Sequence, residues 1–110
     1  MKLTEREYQS MYCQLKRVAE AHGIEVETLM NNRLHDYAGM NDEAAETFGM
    51  PFPKRTVATQ PESWERKYKD LKHELVERRL MAKGMKYFPA HKIALRAENE
   101  DNTSLNRLIS

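Results

Sequence analysis

Residues 61–84 read Pro-Glu-Ser-Trp-Glu-Arg-Lys-Tyr-Lys-Asp-Leu-Lys-His-Glu-Leu-Val-Glu-Arg-Arg-Leu-Met-Ala-Lys-Gly. Trp64, Tyr68, Leu71, Leu75 and Ala82 recur at helical spacing and form one stripe. Pro61 suits a first helical turn, and Glu62 and Glu65 suit the positive end of the helix dipole. Glu62–Arg66, Glu65–Lys69 and Glu74–Arg78 are favourable pairs four residues apart. Gly84 is a stop signal. After Leu75 the stripe is interrupted by Arg78 and Arg79, and Val76 and Leu80 open a second apolar face. That second face either receives the following segment Met85–Pro89 or is left for a partner.

Upstream, Thr4 and Glu7 have the spacing of a capping box, and Tyr8, Met11, Tyr12, Leu15, Val18 and Ala19 form the apolar face of a helix that Gly23 ends. Val26, Leu29, Met30, Leu34 and Tyr37 carry the helical period over about 26–38. Asn41 or Asp42 can cap a short helix reaching Phe48, closed by Gly49; alternatively 26–48 is one helix with a weak point at Gly39. Residues 49–61 read as a connector, since Pro51 and Pro53 disfavour helix before them. Thr56–Val57 is too short a β-favouring run to predict a strand. The polar, acidic run from Ala97 to Thr103 predicts a flexible tail. The expected fold class is therefore all-α: a three- to four-helix bundle with an extra N-terminal helix.

A chain of 110 residues fits one domain. No apolar run approaches the roughly 20 residues of a membrane helix, and Met1–Glu7 lacks the apolar stretch of a secretory leader, so a cytoplasmic protein is expected. Cys13 is the one cysteine, which excludes an internal disulfide and a cysteine-based zinc site. His22, His35, His73 and His91 stand far apart, with no pair at four-residue spacing and no His-Glu metal motif. A metal site, and any cofactor, are thus not expected. His35 beside Asp36 is a weak acid–base pair, because adjacent helical residues point about 100° apart. No phosphate loop or nucleophile–base arrangement is visible, so the expectation is a non-catalytic protein without a small-molecule substrate.

Charge is uneven. Residues 66–96 hold 10 basic and 3 acidic residues, a local balance of +7 in a chain whose net charge is +1. Read functionally, Lys67, Lys72, Arg79 and Lys83 would attract nucleic acid, weakly and without specificity, because Asp70, Glu74 and Glu77 dilute the field. Read structurally, they are a solvated helix face.

From about Met30 to Ile93 the chain resembles the theta subunit of bacterial DNA polymerase III and its phage-encoded relatives. Met30, Asp36, Ala38, Glu46, Phe48, the pair Met50–Pro51, Val57, the triplet Gln60–Pro61–Glu62, Arg79–Leu80 and Phe88–Pro89 carry the likeness. The chain departs from the family in a connector one residue shorter, a last helix three residues longer, and Gly39 inside a continuous helix. The resemblance implies a three-helix domain over 30–96, an N-terminal extension over 1–29 and a tail over 97–110. It also implies a non-enzymatic role: binding and stabilising a 3′–5′ proofreading exonuclease subunit of the epsilon type. On that reading Leu34, Tyr37, Phe48, Met50 and Phe52, with Val76 and Leu80, are the expected contacts. The competing expectations are a helical nucleic-acid-binding protein and a mobile-element inhibitor that captures a host enzyme.

Overall fold

The computed structural model describes residues 2–30 and 37–100. Their order is α1 (Glu5–Ala21), β1 (Glu25–Thr28), β2 (Gly39–Asn41), α2 (Asp42–Thr47), β3 (Thr56–Thr59), α3 (Trp64–Ala82) and α4 (Tyr87–Ala97). The fold is mixed α/β, not all-α. The expected helix over 26–38 is overturned at its start, where Glu25–Thr28 is a strand; Leu34, His35 and Asp36 lie outside the described residues.

The sheet has the order β1-β3-β2. β3 pairs parallel with β1, Val26 opposite Val57, and antiparallel with β2, Met40 opposite Ala58. All four residues of β3 are buried, so it lacks the alternation that marks a half-exposed strand. Arg55 precedes it at φ 53, held there by its N–H donating to Asp42 Oδ2 and its guanidinium donating to the carbonyls of His22 and Gly23. Those two carbonyls close the C-terminus of α1, so one side chain caps a helix and starts the central strand.

The helix starts follow local chemistry. Glu7 N–H donates to Thr4 Oγ1 and Thr4 N–H to Glu7 Oε1, completing the capping box of α1. Asn41 Oδ1 accepts from Ala44 N–H and caps α2. α3 begins at Trp64 rather than Pro61, because Ser63 Oγ accepts from Arg66 N–H. The N–H groups of Trp64 and Glu65 also donate to the carboxylate of Glu5, tying α1 to the positive end of α3.

Helix α3 is the axis of the molecule. Tyr68, Leu71 and Leu75 are buried against Tyr12, Leu15 and Ala19 of α1, with Trp64 packed on Tyr12. Val76 is in the same core and Leu80 packs against it. The expected division at residue 30 follows no seam, because Tyr12–Val26 and Val57–Ala97 contribute to one core. A smaller cluster, Met40, Ala44, Ala45 and Ala58, lies under α2. Gly39 lets β2 lie against α3: a Cβ there would meet Glu74 Oε2 at 2.9 Å and Ala58 O at 3.0 Å. After Gly84, α4 doubles back along α3 and buries Ala90, Ala94 and Ala97. The expected tail thus begins inside a helix; residues 101–110 lie outside the described residues.

Candidate functional site

Every residue of α3 from Asp70 to Val76 is buried, and so is Glu77. A helix buried all round is ordinarily apolar. Here five of those eight are polar: Asp70, Lys72, His73, Glu74 and Glu77. Four of the five, all but Lys72, face a cavity of about 410 Å³ between α3, α4, β2 and α2. α4 adds Tyr87 and His91, and Glu98 follows at its C-terminal cap; the opposite wall holds Tyr37 and Phe48.

The polar groups are joined in one network. Asn41 Nδ2 donates to Glu74 Oε1 at 2.9 Å and to Glu77 Oε1 at 3.2 Å. The other oxygen of Glu77, Oε2, lies 3.0 Å from His73 Nε2 and 2.8 Å from His91 Nδ1, and the two nitrogens are 3.2 Å apart. His73 Nδ1 meets Glu98 Oε2 at 3.0 Å. Arg66, on the rim, reaches Asp70 at 3.0 Å and Glu98 at 3.1 Å. Tyr87 Oη is 3.3 Å from His91 Nδ1.

Burial and charge act against each other here. Burial disfavours the charged form of His73, but Glu77, Glu74 and Glu98 outweigh it and push the imidazole up to about 9. Burial raises Glu74 to about 8, reinforced by Glu77 and opposed by His73 and Asn41. Asp70 is raised to about 6 by burial despite Arg66, and Tyr87 to about 12 by burial and the charges of Glu77 and Glu74. Both carboxylic acids resist ionisation because they are buried, with the His73 imidazole and the Arg66 guanidinium as the positive groups set among them.

The structure scatters the contact set expected from sequence. Tyr37 and Phe48 are exposed at 40% and 41%, stacked with ring centroids 5.8 Å apart, and both stand at the cavity. Phe48 meets Tyr87 edge-on, and Tyr87 meets Phe88, which is 80% exposed. Met50 and Phe52 are half-buried against the smaller cluster. Val76, at 2% exposure, is core, and Leu80 supports it, so the second apolar face of α3 is covered by the protein itself. Leu34 lies outside the described residues.

The basic set does not form one surface either. Lys72 is 3% exposed, its ammonium donating to the carbonyl of Glu100 and lying over the ring of Tyr68. Lys67 lies over the rings of Tyr12 and Trp64, Arg79 is half-buried, and Lys83 is exposed. Arg66, Lys69 and Arg78 are engaged by Asp70, Glu65 and Asp42.

His73, Glu77 and His91, whose ligand atoms converge, carry neither a histidine pair at four-residue spacing nor a His-Glu metal motif in the sequence. The available signal was a histidine and a glutamate four residues apart, which share a helix face.

In comparisons with family models, curated proteins and solved structures, no match was found. Among the described residues no helix is long and apolar enough to cross a membrane.

Proposed function

We propose that this chain is a cation-binding protein whose ligand sits in the α3–α4 cavity. One observation carries the reading. Asp70, Glu74, Glu77 and Glu98, with His73 and His91, converge on an open cavity where Arg66 is the only lysine or arginine among the described lining residues. Each buried carboxylate costs several kcal/mol unless a positive group answers it. The net charge of the chain, +1, offers no general reason to concentrate acid at this point. A bound cation adds to the positive charge that Arg66 and His73 set against these four acids, and Tyr37, Phe48 and Tyr87 line the same cavity. The reading assigns binding and no reaction. We further propose a cytoplasmic location, a reducing compartment in which exposed Cys13 would stay a thiol.

The test is a titration followed by amide chemical shifts, with Zn²⁺ as an inorganic cation and putrescine as an organic one. Saturable shifts confined to residues 37–48, 66–77 and 87–98 are expected for at least one. If neither cation perturbs those residues, the reading fails.

A protein partner is the second reading, favoured by the exposed aromatic run Tyr37–Phe48–Tyr87–Phe88 at the mouth of the cavity. The exonuclease subunit suggested by the theta-like motifs is the candidate to test. The three-helix fold those motifs imply is not the fold of this chain, so the partner rests on short motifs and the aromatic run. Loss of co-elution with that exonuclease in Tyr37→Ser and Phe88→Ser, with unchanged amide spectra elsewhere, supports it; absence of co-elution for the unaltered chain refutes it.

A further inference from the structure

We propose that His73, Glu77 and His91 form a facial site for a divalent first-row transition-metal ion, whose remaining coordination positions open into the α3–α4 cavity. The inference rests on the cation-binding reading and names the cation.

Geometry comes first. His73 Nε2, Glu77 Oε2 and His91 Nδ1 form a triangle with sides of 3.0, 2.8 and 3.2 Å. An ion about 2.1 Å from each atom, the usual bond length for imidazole and carboxylate donors, would see them separated by about 84–99°. Those are neighbouring positions of an octahedron, and three of them make one face. A tetrahedral ion at the same bond length would need edges of about 3.4 Å, longer than any of the three. The spacing therefore favours a ligand face with open positions opposite over a closed structural site.

The donor set agrees with the geometry. Two imidazole nitrogens and one carboxylate oxygen suit iron(II), cobalt(II), manganese(II), nickel(II) or zinc(II); magnesium and calcium take oxygen donors.

The surroundings are built for the same purpose. A metal-binding histidine usually gives its other ring nitrogen to a carboxylate, which sets the tautomer and the ring plane. His73 does so: Nδ1 faces Glu98 Oε2 at 3.0 Å while Nε2 faces the shared point. Glu77 is held the same way, with Oε1 accepting from Asn41 and Oε2 left toward the two imidazoles. Glu98 and Asn41 are thus positioning residues. Tyr87 Oη, 3.3 Å from His91 Nδ1, is next to the site and can donate to an oxygen that fills an open position. The ligands that fit are water or small oxygen- and nitrogen-donor anions, with Tyr37 and Phe48 as the apolar wall.

The competing account is a hydrogen-bonded cluster of buried histidines and carboxylates that holds α4 on α3 and takes no metal. The experiment is calorimetric titration of the chelator-treated chain with Zn²⁺ and with Co²⁺, with visible absorption for Co²⁺. One ion per chain with sub-micromolar affinity is expected. His91→Ala, at a half-exposed position, is expected to weaken binding at least 100-fold while keeping the fold, with apo amide shifts confined to the neighbours of residue 91 on α3 and α4. Glu98→Gln is expected to weaken it about 10- to 100-fold, the usual effect of removing such a partner. Excess azide added to the cobalt form is expected to change its spectrum by entering an open position. No saturable metal binding, or equal affinity in His91→Ala, overturns the site; a spectrum indifferent to azide overturns its openness. Saturable binding of putrescine without metal binding would overturn this inference and leave the cation-binding reading standing, whereas silence toward both cations would remove both.

Discussion

Val76→Ala separates two accounts of α3. If Val76 belongs to a surface awaiting a partner, its truncation leaves the isolated protein as stable as before. In the structure it is 2% exposed and part of the main core. Removing two buried methyl groups costs about 1–3 kcal/mol, since each buried methyl deletion costs about 0.5–1.5 kcal/mol with the void included. Alanine's better helix propensity returns roughly half a kcal/mol. The net loss is about 0.5–2.5 kcal/mol. With an unfolding entropy of about 2.1 cal/mol/K per residue, a domain of this size loses roughly 4 °C in melting temperature per kcal/mol. Differential scanning calorimetry should therefore show a fall of about 2–11 °C, on a single cooperative transition. A fall below about 2 °C would mean that α4 and the sheet do not close around α3, and the fold described here would be wrong at its centre.

Leu71→Ala and Leu75→Ala should each cost about 2–5 kcal/mol, because both are fully buried between α1 and the sheet; unchanged thermal unfolding in both would refute that placement. Gly39→Ala should destabilise by about 1–3 kcal/mol, since its methyl meets Glu74 Oε2 and Ala58 O; a neutral result in urea unfolding would show that β2 does not press on α3. Glu5→Ala removes an acceptor shared by two N–H groups of α3 and should cost about 1–2 kcal/mol, with faster hydrogen exchange at Trp64 and Glu65 as the local readout. Lys72→Gln should lower the melting temperature and leave duplex-DNA affinity unchanged, because Lys72 is internal; the reverse outcome would restore the nucleic-acid reading.

What was legible in the sequence was local. The capping box at Thr4–Glu7, Asn41 as a cap and Gly49 as a stop depend on neighbours along the chain. The stripe Trp64–Tyr68–Leu71–Leu75 has a face that α1 does cover. The sheet was not legible, because its strands are three or four residues long and β3 is stabilised by partners about 16–31 residues away in sequence. Val26 and Leu29 fit a helical period as well as a strand, and pairing with β3 decided between them. α4 was missed although Ala90, Ala94 and Ala97 recur at helical spacing; small residues give a weak hydrophobic signal, yet they are what lets α4 approach α3 closely. Without α4 there is no His91 beside His73, and so no site to be seen.

The interruption of the stripe after Leu75 has the same origin. An amphipathic helix has one buried face, and the polar residues of 70–77 would belong on the other. α3 has no other face in that stretch, since α1, the sheet and α4 cover it on all sides. A protein selected only to fold would place leucine or alanine there, because an apolar replacement of a buried ionic group is often neutral or stabilising. His73, Glu74 and Glu77 instead face a cavity, with Asn41 and Glu98 fixing their directions. The stability forgone is concentrated at one point on the central helix. That concentration is the physical reason to look for the function of this chain inside the α3–α4 cavity before looking on its charged exterior.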